Sequence, residues 1–259
     1  MFQEALFPLA LTLFAGLATG IGSGISLLFK RVSPGTLRLM LGFSAGVMLY
    51  VSFTELLGAG IAELGFLWGN VAFFGGIGLM AVIDMAVPHE FLAERMGGGK
   101  GKNRGILKAG LLTAVGLMIH NFPEGMAVFA SAIQSPGLGV SLAIAIGLHN
   151  IPEGIAVAMP IYAATGRRRP AFLISLLSGL AEPLGAIIAG FWLLPFLNPQ
   201  VLAAVLAGVG GLMVFISFDE ILPLSYQREN GEPAPRLAHE AIIGIIGGML
   251  IMALSLALF

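Results

Sequence analysis

The sequence predicts an all-α fold, a polytopic membrane helix bundle of eight transmembrane helices, on three observations: composition, the spacing of apolar runs and the placement of charge. Of 259 residues, 57% are hydrophobic and 10% charged, against about 25% charged in an ordinary soluble domain. The charges gather in short stretches and leave apolar runs close to the ~20 residues that cross a bilayer as helix. No loop is long enough to fold alone, so residues 1–259 read as a single integral membrane domain. Without cysteine there is no disulfide framework and no thiolate metal site, which leaves His, Glu, Asp, Asn and backbone oxygens for metal chemistry. The net charge of −1 gives no ground for a nucleic-acid partner.

The first span covers 5–29; the stretch Met1 to Ala15 lacks the basic start of a cleaved signal peptide and reads as this helix itself. Lys30, Arg31 and Arg38 separate it from the second span, 37–58. The third, 66–87, carries Trp68 as an interfacial anchor and leads into a loop, 88–105, whose Gly97–Lys102 stretch reads as a solvated linker. Spans four and five, 106–133 and 137–163, flank a short polar break, and Arg167, Arg168 and Arg169 follow the fifth. The sixth, 171–196, contains Glu182 before Pro183 and ends near Trp192. The seventh and eighth are 199–222 and 237–258, with Arg228 and Arg236 between them. All thirteen Lys and Arg residues thus lie in or beside alternate loops. The positive-inside rule makes those loops cytoplasmic and puts both termini outside a cell membrane.

Distant spans also resemble one another. Gly46–Leu57 matches Gly211–Leu222 at six of twelve positions, relating spans 2 and 7. Gly16-Leu17-Ala18 followed by Gly22 matches Gly179-Leu180-Ala181 followed by Gly185, relating spans 1 and 6. Each pair runs in opposite directions under this topology, the mark of an inverted repeat whose substrate site lies at mid-membrane.

The most informative residues occupy the middle of spans 4 and 5, where His120-Asn121-Phe122-Pro123-Glu124-Gly125 recurs as His149-Asn150-Ile151-Pro152-Glu153-Gly154. Each motif starts about a dozen residues into its span, roughly 18–20 Å along a helix, in the central bilayer. His and Glu at i and i+4 share a helix face, the proline frees a backbone carbonyl, and the glycine allows close helix approach. Glu182 is the natural third acid. Burying Glu124, Glu153 and Glu182 costs about 2.5 kcal/mol or more each unless a cation or protons accompany them. Imidazole with carboxylate suits Zn²⁺, Fe²⁺, Mn²⁺ or Co²⁺; Mg²⁺ and Ca²⁺ prefer all-oxygen sites.

HNFPEG in one span and HNIPEG in the next, with Glu182 in the sixth, resemble the signature of the ZIP family of divalent metal transporters, and most closely its bacterial branch. The resemblance covers nearly the whole chain. It implies transport of zinc, and also iron, manganese, cobalt or cadmium, into the cytoplasm, with the metal as substrate and no resident cofactor. It further implies a binuclear site: one metal among Glu124, His149 and Glu153 with His120 nearby, a second among Asn121, Glu124, Asn150, Glu153 and Glu182. Spans 1–3 would be related to spans 6–8, with spans 4 and 5 carrying the site. The chain departs from many eukaryotic relatives in having only His89 where they carry a histidine-rich loop. Expected partners are divalent metal ions and the lipid bilayer, with a homodimer as one oligomeric state left open.

Glu55, Asp84, Asp219 and Glu220 are candidate way stations at the ends of spans, or plain interfacial charges. His89, Glu90, Glu94, His239 and Glu240 read as solvated or capping residues before metal acceptors. A carrier and a channel-like route would use the same ligands. The reading from another class, an intramembrane zinc-dependent hydrolase, would use the same His and Glu residues, but the sequence has no HExxH and no nucleophile beside the cluster. The expectation is therefore a transporter and not an enzyme.

Overall fold

A computed structural model of the chain describes residues 2–29, 32–86, 102–193, 196, 198–225 and 239–258. The expectations for Lys30, Arg31, His89, Glu90, Glu94, Arg95, Lys100, Arg228, Arg236 and most of the 88–105 linker lie outside the described residues. The described residues hold helices and no strand: α1 (Phe2–Leu28), α2 (Pro34–Val51), α3 (Leu57–Ala86), α4 (Lys102–Gln134), α5 (Pro136–Thr165), α6 (Arg168–Gly179), α7 (Ala181–Ile188), α8 (Pro199–Ile216), α9 (Leu222–Ser225) and α10 (His239–Leu258). In a bilayer the backbone must satisfy its own hydrogen bonds, so apolar runs of this length form helices.

Starts and stops follow local chemistry. Ser33 accepts the Thr36 N–H at 3.1 Å, and Asn198 accepts that of Val201 at 2.8 Å. In each case proline opens the helix, where its missing N–H costs nothing. Gly166 closes α5 with φ of 66°.

Seven continuous helical runs among the described residues are long and apolar enough to cross a membrane. The longest, Pro34–Ala86, has 53 residues, about 80 Å if straight and far more than one bilayer. It is not straight, because Gly65 has φ of 80° and ψ of 165°. The chain turns back there. The Phe53 and Phe73 ring centroids are 5.5 Å apart, where an unbroken helix would hold them about 30 Å apart. A Cβ at Gly65 would meet nothing within 4 Å, so substitution there incurs conformational strain alone. Gly65→Val is expected to destabilise by about 1–2 kcal/mol, read as a lower Tm in detergent.

At the centre stand α1, α4, α5 and the α6–α7 run. Two outer pairs, α2 with α10 and α3 with α8, reach this group through contacts of α2 with α5 and α8 with α4. Glycines set the close crossings: a Cβ on Gly42 would strike the Ala241 carbonyl, and one on Gly46 that of Ile245, so α2 and α10 run parallel. Arg38 and Glu240 tie the same two helices at 3.5 Å. Trp68 and Trp192 are exposed, as membrane-interface anchors would be.

Candidate metal centre

Both hexapeptides lie inside unbroken helices, α4 and α5, which continue through Pro123 and Pro152. Glu182 reaches the same region by another route. The α6–α7 run is interrupted at Leu180 (ψ −5°), just before Pro183, so Glu182 sits in the first turn of α7. His120, Asn121, Glu124, His149, Asn150, Glu153 and Glu182 are all buried, and the fold brings all seven together.

Their contacts cross between helices. His120 Nε2 lies 2.9 Å from Glu153 Oε1, and His149 Nε2 lies 3.3 Å from Glu124 Oε2. The two motifs therefore pair reciprocally, each imidazole with the other helix's carboxylate. Asn121 donates its amide to the Ser178 carbonyl at 3.3 Å, and Asn150 donates to the Ala15 carbonyl at 2.8 Å and to Glu182. With the amide nitrogens committed to backbone, the amide oxygens are oriented as acceptors.

Each of the seven residues retains one buried polar atom without a hydrogen-bond partner: His120 Nδ1, Asn121 Oδ1, Glu124 Oε1, His149 Nδ1, Asn150 Oδ1, Glu153 Oε2 and Glu182 Oε2. His120 Nδ1 faces the Gly116 carbonyl without a formed hydrogen bond. Among the described residues only Thr19 Oγ1 and Arg38 Nε share this condition. Leaving a buried donor or acceptor unmatched costs about 1–3 kcal/mol, more for charged groups, and here seven such atoms gather in one place, available to a ligand. The donor set of imidazole, carboxylate and amide oxygen fits a borderline divalent cation.

The surrounding packing is equally reciprocal. A Cβ on Gly16 would strike the Gly179 carbonyl, and one on Gly179 that of Gly16. Gly22 abuts the Ile151 carbonyl as Gly185 abuts that of Phe122, and Gly154 abuts Thr19 as Gly125 abuts Glu182. From the outer pair, Ser44 donates to the Pro152 carbonyl at 2.6 Å.

A second cluster lies apart from the first. Asp84, Asp219 and Glu220 bring their carboxylates within 4.8 Å of one another, at the end of α3 and in the π-helical turn Ser217–Ile221. Within the first cluster, by contrast, the His and Glu atoms pair two by two, and no three gather that closely. Glu55 is exposed within another π-helical turn, Ser52–Leu56. Glu240 pairs with Arg38, which fits an anchoring role.

Comparison with known proteins agrees with this chemistry. Residues 94–256 match the family described as ZIP Zinc transporter. The chain is 48% identical over 275 residues to Zinc transporter ZupT of Chlorobium chlorochromatii, covering 100% of both chains. The chain belongs to the ZIP family. Its ZIP relatives include Zinc transporter ZupT of Chlorobaculum parvum, 51% identical with 100% of both chains covered. Zinc transporter ZupT of Corynebacterium glutamicum is 49% identical, over 98% of this chain and 99% of its own. The ZupT-type bacterial branch is thus the one this ZIP chain resembles, and it is a multi-pass membrane protein.

Sequence reasoning did not anticipate the backbone partners in this ZIP fold, the carbonyls of Ala15 and Ser178 that fix the asparagines. A signal was present: Ala15 and Ser178 directly precede the matched Gly16 and Gly179. Nor did it gather Asp84, Asp219 and Glu220 into one cluster, since no local spacing joins α3 to the turn after α8.

Proposed function

We propose that this protein carries zinc across the membrane into the cytoplasm through a binuclear site formed by the doubled motif and Glu182. The observation that carries this reading is the set of seven buried side chains, each with an unmatched polar atom, gathered from α4, α5 and α7. One metal binds among Glu124, His149 and Glu153 with His120 beside it. The other binds among Asn121, Glu124, Asn150, Glu153 and Glu182, so that Glu124 and Glu153 bridge. Each cation replaces the internal His–Glu pairings and supplies the charge that lets three carboxylates stay ionised in the bilayer. Iron, manganese, cobalt and cadmium, with similar ligand preferences, are the competing substrates. Membership in a transporter family leaves the hydrolase reading without support.

The route rests on eight crossings. Two features support that number: the turn at Gly65, and the parallel course of α2 and α10. Eight alternating crossings make spans 2 and 8 parallel, whereas seven would make α2 and α10 antiparallel. Both termini then face outward. An inverted relation of spans 1–3 to spans 6–8 is supported by the reciprocal glycine crossings and by π-helical turns at the matched segments Ser52–Leu56 and Ser217–Ile221. The metal sheds water on the outer side, exchanges onto the cluster, and leaves inward when one half of the bundle moves against the other.

Asp84, Asp219 and Glu220 serve as a way station on the release side. Neutralising all three (Asp84→Asn, Asp219→Asn, Glu220→Gln) is expected to slow uptake several-fold while zinc binding at the doubled motif persists, read by isothermal titration beside flux. Because the metal must displace protons from imidazole and carboxylate, uptake is expected to fall as external pH is lowered. The experiment for the function itself is radiozinc uptake into proteoliposomes with cadmium, iron, manganese and cobalt as competitors. Saturable uptake above empty liposomes, ranked by competitor, is expected; uptake equal to empty liposomes from folded protein would overturn the reading.

A further inference from the structure

The loop after α5 places Arg167, Arg168 and Arg169 in succession at the start of α6, with no acidic residue anywhere between Glu153 and Glu182. Arg168 is held in place: its guanidinium donates to Tyr162 Oη at 3.4 Å and to the Phe29 carbonyl at 3.5 Å, and it lies over the Tyr162 ring at 5.8 Å. Arg167 and Arg169, on either side, are exposed, and their guanidinium groups form no hydrogen bond or ion pair with described residues. The three arginines with Pro170, Leu173 and Ile174 line an open concavity of about 530 Å³.

The surface below that concavity is apolar. Leu173 and Leu177 are exposed on α6, about 8 and 14 Å along the helix from Arg168, within the ~15 Å half-thickness of a bilayer's hydrocarbon. The end of α1 packs antiparallel beside them, where Ile25 and Leu28 are also exposed, Leu28 by 79%. A cap of positive charge that meets no acidic partner among the described residues, over an apolar track, matches the polarity of a phospholipid: an anionic headgroup at the guanidinium groups and acyl chains along the leucines. A protein partner would have to cover a surface that the bilayer already occupies, and a free anion would leave the apolar track unused.

We infer that the Arg167–Arg169 face binds one anionic phospholipid, its phosphate held by Arg167 and Arg169 beside the anchored Arg168. This inference stands apart from the metal site, since none of its residues belongs to that cluster.

Native mass spectrometry of the full chain, released from phosphatidylcholine bilayers doped with phosphatidylglycerol, tests it. The wild type is expected to retain one phosphatidylglycerol in preference to phosphatidylcholine. R167Q/R169Q is expected to lose that preference by about thirtyfold, the equivalent of about 1 kcal/mol per arginine. The charge-matched variant K100Q/K102Q is expected to keep it, and millimolar inorganic phosphate is expected to leave the bound lipid in place. Undiminished preference in R167Q/R169Q, an equal loss in K100Q/K102Q, or full displacement by phosphate would each overturn the inference.

Discussion

Glu153→Ala is expected to abolish saturable zinc uptake, lowering it by about 100-fold or more. Even residues that only orient metal ligands cost about 10–100-fold when removed, and Glu153 is assigned to both metals. Its loss would also leave His120 Nε2, now 2.9 Å from Glu153 Oε1, without a partner in a buried site. Glu153→Gln keeps the volume and removes the charge, so an equal loss in that variant separates ligation from packing. His149→Ala is expected to follow it, because His149 and Glu124 form the opposite pair at 3.3 Å. Flux in proteoliposomes, normalised to folded protein, is the measurement; wild-type flux in either alanine variant would remove the doubled motif from the route.

Gly22→Ala is expected to damage the protein severely without touching a ligand. A Cβ at Gly22 would overlap the Ile151 carbonyl, one residue before Pro152 and two before Glu153. Backbone cannot rotate away as a side chain can, so α1 and α5 must separate, at about 1–3 kcal/mol or more. The separation would also draw the Ala15 carbonyl away from Asn150, which it now orients at 2.8 Å. Gly24→Ala, on the same helix, meets nothing within 4 Å and is expected to be neutral or stabilising by up to about 1 kcal/mol. Thermal unfolding in detergent and zinc flux for this pair should therefore diverge in both readouts. Equal stability and flux in the two variants would contradict the packing argument.

Much of this fold was legible because a bilayer imposes a simple code. Apolar length marks a crossing, and seven long apolar helical runs in the described residues cover the expected spans, the second and third lying together in one run, Pro34–Ala86. The break expected between residues 58 and 66 is where the chain turns back: residues 59–65 carry a single charge, Glu63, and the backbone freedom of Gly65 allows the fold-back. The buried polar cluster was legible because His, Asn and Glu are costly at mid-membrane and stand out against an apolar background. Their partners were not, since a carbonyl such as that of Ser178 looks the same in sequence at every residue. The acidic cluster needed three dimensions for the same reason. Asp84 and Glu220 sit at the ends of helices far apart in the chain, and only the packing of α3 on α8 joins them.

The central claim is that metal resides among α4, α5 and α7. Anomalous scattering at the zinc edge, from crystals grown with zinc, tests it most directly. The account predicts two peaks within bonding distance of Glu124 and Glu153, one toward His149 and the other toward Asn121, Asn150 and Glu182. Peaks confined to Asp84, Asp219 and Glu220, with none at the doubled motif, would contradict it.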